Sequence, residues 1–237
     1  LSNLGKAFGS SVNSFELLER EILEMATKLF INEIHFPFGK IAPYNILFEL
    51  SVNNANEELE EQLVKCLGEL PEPEQPVDAT IAQTTKQAGN LWKLREILPE
   101  AEKSWGDSIK HDISVPTPSI PDFIQDAKDE VTNISNTVGF SIFGHLGDGN
   151  LHFNVVYPRT GNTEFVQQER EKEKISERIY WLVHKYGGSF SAEHGIGQEK
   201  IELLESYGDP VSLEIMRVLK RCLDPSGIMN PGKIFTK

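Results

Sequence analysis

Two histidines around a glycine-rich turn, Gly144-His-Leu-Gly-Asp-Gly-Asn-Leu-His152, constrain this chain more than any other stretch. Apolar, strand-like runs flank it, with Phe140, Ile142 and Phe143 before the turn and Phe153, Val155 and Val156 after it. Gly147, Asp148, Gly149 and Asn150 accept the backbone angles of tight turns, so the stretch reads as a β-hairpin. Such a hairpin brings His145 and His152 together at the mouth of the turn, and two converging imidazoles make half of a metal site. The later stretch Ser191-Ala-Glu-His-Gly-Ile-Gly197 adds a carboxylate, Glu193, and a further imidazole, His194. His145, His152 and Glu193 are the two-histidine, one-carboxylate set of a catalytic metal centre that keeps a position open for substrate. The separation of the two histidines is not a standard ligand spacing. By spacing alone the same histidines also fit hydrogen-bonded sheet residues beside a turn.

A chain of 237 residues can bury a sizeable core, as one large domain or two small ones. No run approaches the length of apolar sequence that spans a bilayer. The formal net charge of −13 repels backbone phosphates and argues against a nucleic-acid partner. An acidic chain that binds an anion must place cations locally. Arg95 and Lys110 are candidates, although a solvated surface role is the default for each, with Asp112 as the simplest partner for Lys110. Cys66 and Cys222 sit in apolar helical patterns and read as reduced core cysteines. Gly144-x-x-Gly147-x-Gly149 is not the dinucleotide fingerprint, and no stretch matches a P-loop. The chain starts at Leu1 rather than a methionine, which points to a start inside a longer protein or after processing.

Periodicity predicts a loop over 1–13, a helix over 15–30 and a strand over 44–52. Asn53 and Asn54 then turn the chain into a helix over 57–70, and a proline-rich connector covers 71–76. A helix over 79–97 is ended or bent by Pro99. Residues 107–115 alternate as a half-buried strand, and a helix spans about 120–134. After the hairpin come a helix over 164–186, a short strand over 190–194, and helices over 198–207 and 210–223. The pattern predicts an α+β fold, with helices on one face of a sheet.

Three motifs occur together and in order: Gly144 to His152, Ser191 to Gly197, and Leu223-Asp-Pro-Ser-Gly-Ile-Met-Asn-Pro-Gly-Lys-Ile-Phe235. With Leu91-Trp-Lys-Leu-Arg-Glu96 and Ser108-Ile-Lys-His-Asp-Ile-Ser-Val-Pro116, they resemble the C-terminal half of the FAD-linked 2-hydroxy acid dehydrogenases of the vanillyl-alcohol oxidase type. Within that family the D-2-hydroxyglutarate dehydrogenases are the most similar. D-lactate dehydrogenases and the glycolate oxidase flavin subunit are similar at a greater distance.

The resemblance implies a ferredoxin-like antiparallel sheet with helices on one face, plus a helical C-terminal segment. It implies that residues 1–187 form the substrate-binding cap of an FAD-linked oxidase. Residues 188–237 would pack on an FAD domain supplied by an N-terminal half outside this chain, without which the fragment is inactive. FAD, held mostly by that half, and a divalent metal, zinc first, are the implied cofactors. Manganese, cobalt and iron suit the same donors nearly as well. His145, His152 and Glu193 match the family's metal ligands, and His194 matches its general base. Arg95 and Lys110 match carboxylate-binding groups, Asn154 a further substrate contact, and Asn230 the segment that approaches the flavin. A threonine that binds carboxylate in some members falls on Pro99, which has no hydroxyl. The implied partners are a 2-hydroxy acid, the N-terminal FAD domain, an electron-acceptor protein or quinone, and a second copy in a homodimer. The implied compartment is the cytoplasm, or alternatively the mitochondrial matrix. A standalone metal-binding module and an interaction domain with structural histidines are the competing readings of the residues.

Overall fold

The computed structural model describes residues 2–51, 57–72, 75–159 and 165–235. The expected Asn53–Asn54 turn lies outside them. The sheet is antiparallel, in the spatial order β2 (Tyr44–Leu50), β1 (Val12–Glu19), β5 (Gly139–His145), β6 (Asn150–Pro158) and β3 (Gly106–Ile109). The short strand β4 (Asp112–Ser114) pairs with β6 as well. Thus β3 and β4 form one interrupted edge of the same register, with Ile109 opposite Val155 and Asp112 opposite His152. The sequence predicts a single strand here. The ladder is interrupted at Lys110 and His111, where the Asn154 side chain accepts from the His111 N–H at 3.1 Å.

The hairpin forms as its residues dictate. β5 runs into a 3-10 turn over Leu146–Asp148, and Gly149 turns back in the left-handed region at φ 73°. A Cβ at Gly149 would collide with the Val115 carbonyl oxygen, so glycine is required there on both counts.

Alternation along the strands divides the chemistry between two faces. One face carries Leu17, Phe140, Ile142, Leu151, Phe153 and Val155. It packs on α6 (Ile120–Ile134) and α7 (Phe165–Lys185) through residues such as Phe123, Ile124, Ile175 and Ile179. Burying each such side chain contributes about 1.5–3 kcal/mol. The opposite face carries Leu18 and Phe143, which pack on α2 (Arg20–Leu29), α4 (Thr85–Glu96) and α5 (Leu98–Trp105). The expected antiparallel α+β arrangement is therefore present, but helices cover both faces where the sequence pattern points to one. Near the β2 edge, α1 (Ser2–Phe8) and α3 (Glu57–Gly68) close a small cluster around Phe15, Phe48 and Leu63.

Several local expectations are corrected. Within the stretch expected as a loop over 1–13, Ser2–Phe8 forms α1. The first five residues of the predicted helix over 15–30 are strand: Val12–Glu19 is β1, and α2 starts only at Arg20. Phe15, Leu18 and Ile22 fit helical spacing, but strands pair with β1 on both sides and fix it extended. The helix expected over 79–97 is α4 and starts only after Thr84, which caps it by accepting from the Gln87 N–H at 3.2 Å. Pro99 lies in the first turn of α5, where a missing N–H costs nothing. Residues 190–194 hold no strand, only the bridge between Ser114 and Ser189 beside them. The chain ends on α8 (Ile201–Tyr207) and α9 (Pro210–Leu223). Cys222 on α9 is exposed rather than in the core, because Val211, Ile215, Leu219 and Leu223 of that helix are themselves exposed. No helix among the described residues is long and apolar enough to cross a membrane.

His111 is buried, with its Nδ1–H donating to the Phe153 carbonyl at 2.9 Å and Nε2 accepting from Ser176 Oγ at 3.0 Å. Burial pushes its imidazole from the usual 6.5 down to about 4, against the opposing pull of the Phe153 bond. Between those values the unfolded chain binds the proton and the folded chain does not. Stability therefore falls as pH drops through that window, by up to about 3 kcal/mol. Urea midpoints measured at about pH 7 and about pH 4.5 should fall further for the wild type than for His111→Gln; equal drops would refute this role.

Candidate metal and substrate site

The site lies on the α4–α5 face of the sheet, beyond Leu18 and Phe143. His152 stands opposite Phe143 on β6, and His145 ends β5 two residues further along the same face. Their rings are 5.9 Å apart. Glu193, from the loop after α7, closes the group, with Oε1 at 3.6 Å from His152 Nε2 and Oε2 at 4.0 Å from His145 Nε2. One ligand atom from each of the three lies within 4.8 Å of the other two, a group that could hold a metal ion.

The chemistry of the donors suits a cation. Burial holds the His152 imidazole below its ordinary range, helped by Arg95 and His145 and opposed by Glu193 and Asp112, so its lone pair is available near neutrality. His145 Nδ1 donates to Glu16 Oε1 at 2.7 Å, which leaves Nε2 as the free nitrogen toward Glu193.

Glu16, on β1 directly opposite His145, is buried and takes a second partner. Its Oε2 accepts from Arg95 Nε at 2.7 Å. Arg95, in the last turn of α4, stacks its guanidinium 4.6 Å over the Phe143 ring. One carboxylate thus joins a candidate substrate cation to a candidate metal ligand.

The loop that carries Glu193 and His194 is held by Asp112. Its Oδ2 accepts from the backbone N–H groups of Glu193 at 3.0 Å and His194 at 2.9 Å. Burial raises the Asp112 carboxyl, but these two bonds, with His194 and Lys200 nearby, outweigh it and hold the group below the usual carboxylate range. Lys200 ties the same loop by donating to the Phe190 carbonyl at 2.9 Å. His194 is exposed, with Nε2 at 3.9 Å from Glu193 Oε1 and its ring 6.4 Å from that of His152. The tail joins the same region through the Ile234 N–H, which donates to the Gly197 carbonyl at 2.8 Å. Asn230 lies in that tail at φ 47°.

Deeper on the same face, Glu102 of α5 is buried and accepts from Ser108 Oγ, Ser141 Oγ and Asn154 Nδ2, each at 2.7 Å. Both ends of the Asn154 amide are engaged, one by Glu102 and the other by the His111 N–H. Lys110 reaches Glu102 at 3.8 Å while remaining exposed. Its partner is therefore not Asp112, the simplest reading of the sequence, because Asp112 is turned into the loop. The structure brings together His145, His152, Glu193 and His194 at one point, with Arg95 linked through Glu16. Lys110 and Asn154 share the neighbouring Glu102 cluster. Glu16 and Glu102 escape the sequence reading, and Asp112 enters it only as a surface partner for Lys110. A sequence signal exists for Glu16 alone, an acidic residue between Phe15 and Leu17.

The chain matches the family described as FAD linked oxidases, C-terminal domain, over residues 4–234. It belongs to that family. A D-2-hydroxyglutarate dehydrogenase of Stutzerimonas stutzeri (strain A1501) is 35% identical over 204 residues, covering 86% of this chain and 43% of the relative. A mitochondrial protein of Schizosaccharomyces pombe that carries a D-lactate dehydrogenase name is 30% identical over 252 residues, covering 98% and 45%. The chain thus spans less than half the length of these relatives. A solved structure, the isoeugenol complex of 4-ethylphenol oxidase from Gulosibacter chungangensis, aligns with TM-score 0.47 and 14% identity over 93% of this chain and 53% of that one. A likeness at that level carries no argument about function.

Replacing Asp112 by alanine removes the acceptor of two backbone N–H groups, at a cost of about 2 kcal/mol. Hydrogen exchange should accelerate at the amides of Glu193 and His194 and stay unchanged along β5. Unchanged exchange at residues 193 and 194 would show that the loop is held by other contacts.

Proposed function

We propose that this chain is the substrate- and metal-binding portion of an FAD-dependent dehydrogenase that oxidises a D-2-hydroxy acid to the 2-oxo acid. D-2-hydroxyglutarate is the best-fitting substrate. The observation that carries the reading is the convergence of His145, His152 and Glu193 beside Arg95 and His194 in a member of an FAD-linked oxidase family. When bound, a divalent cation would supply Lewis acidity toward a substrate oxygen, and FAD would supply the electron acceptor.

The chain's own residues do the rest. His145, His152 and Glu193 hold the cation, zinc being the first choice for two imidazoles and a carboxylate. Arg95 uses Nε on Glu16 and offers its terminal nitrogens to a substrate carboxylate. Lys110, exposed beside Glu102, serves the distal carboxylate of a dicarboxylic substrate. The Asn154 amide fixes the Glu102 cluster on which Lys110 rests. His194 stands in solvent beside Glu193 and accepts the proton of the 2-hydroxyl. These cations provide locally what a chain of net charge −13 lacks overall.

Residues 1–187 serve as the substrate-binding portion, and residues 188–237 would pack against the FAD domain, with Asn230 in the segment that approaches the flavin. The exposed apolar face of α9, formed by Val211, Ile215, Leu219 and Leu223, supports this division.

Anaerobic addition of D-2-hydroxyglutarate to the full-length protein should bleach the oxidised flavin band, with D-lactate and glycolate slower. Faster bleaching by D-lactate would move the substrate to the smaller acid, and a flavin bleached by none of the three would refute the reading. His152→Ala should abolish turnover and lower bound metal; full activity with that substitution would exclude the metal role.

A further inference from the structure

The buried carboxylate of Glu16 has both oxygens in use, and the two partners differ in kind. Arg95 Nε can only donate. His145 Nδ1 can donate or accept, depending on which nitrogen carries the ring proton. A carboxylate accepts at both ends, so it compels Nδ1 to carry a proton, and in the neutral ring the lone pair then lies on Nε2, toward Glu193. We propose that Glu16 is a positioning residue that sets the tautomer of His145, and thereby the metal affinity of the site, while its other oxygen aims Arg95. The proposal rests on the reading of His145 as a metal ligand.

Three observations make the constraint strong. Glu16 and His145 are register partners across β1 and β5, so the backbone fixes their approach. Both bonds from Glu16 are 2.7 Å, the short distance of charge-assisted pairs. Glu16 and Arg95 are largely shielded from water, with side chains 6% and 12% exposed, so solvent does not offer either an easy substitute.

The near-isosteric change Glu16→Gln turns this into a sharp test. Glutamine offers one acceptor and one donor end. Arg95 is obliged to donate and takes the amide oxygen, so the amide NH2 faces His145 Nδ1. Nδ1 must then accept, the ring proton moves to Nε2, and the lone pair is lost from the metal side. Zinc affinity of the full-length protein, measured by chelator competition, should weaken about 10- to 100-fold. Nitrogen NMR of the metal-free, histidine-labelled protein at mildly alkaline pH should show His145 protonated at Nδ1 in the wild type and at Nε2 in Glu16→Gln.

The double variant Glu16→Gln/Arg95→Leu removes the obligatory donor, so the amide can turn its oxygen back to His145. It should restore the Nδ1–H tautomer, and Arg95→Leu should improve zinc affinity more when combined with Glu16→Gln than when made alone. Loss of the bond to a merely structural carboxylate would show no such rescue. The proposal is overturned if His145 keeps one tautomer in wild type and Glu16→Gln, or if the two bind zinc equally. A wild-type protein that binds no zinc would overturn the metal reading instead, and the tautomer comparison would still decide the role of Glu16.

Discussion

β6 is bonded along both edges, to β5 on one side and to β3 and β4 on the other, and the two-residue alternation of its side chains is the constraint on which the rest of the structure depends. Leu151, Phe153 and Val155 point into the core beneath α6 and α7. His152 and Asn154, the residues between them, therefore lie on the other face. A slip of one residue would send the histidine into the apolar core and the phenylalanine into the site. Core and chemistry are thus set by the same hydrogen-bond ladder.

The site is built from buried carboxylates, each given partners of a different kind. Glu16 is held by a guanidinium and an imidazole, Asp112 by backbone N–H groups, and Glu102 by two hydroxyls and an amide. A buried carboxylate left unpaired would cost several kcal/mol, so these partners must be in place for the fold to hold. The arrangement also restrains the field of a strongly acidic chain. Arg95 neutralises Glu16 at the site, and Lys110 and Lys200 stand beside Glu102 and Asp112 respectively.

The hairpin, α6, α7, α9 and the convergence of His145 with His152 are legible because their signals are local: turn glycines, helical spacing and caps. β1 is misread because its neighbours in space decide its conformation, and those neighbours are far away in sequence. Phe15, Leu18 and Ile22 satisfy a helical repeat that pairing with β2 and β5 overrides. The same distance conceals Glu16, whose partners Arg95 and His145 come from a remote helix and a remote strand. Asp112 reads as a surface partner for Lys110 because strand alternation places both on one face, and alternation does not register that the loop of Glu193 descends onto one of them. Helices on the second face escape for a related reason: Leu18 and Phe143 are a small apolar island within a largely polar face.

The grip of Asp112 on the loop is through the main-chain N–H groups of Glu193 and His194, which every residue but proline supplies. The support of the loop and the side chains it presents are thereby largely separable. Substituting either side chain changes the group presented at that point and leaves these two bonds available. This portion of the chain acts as a bracket whose hold on the sheet lies in its main chain, while the side chains at 193 and 194 face outward from it.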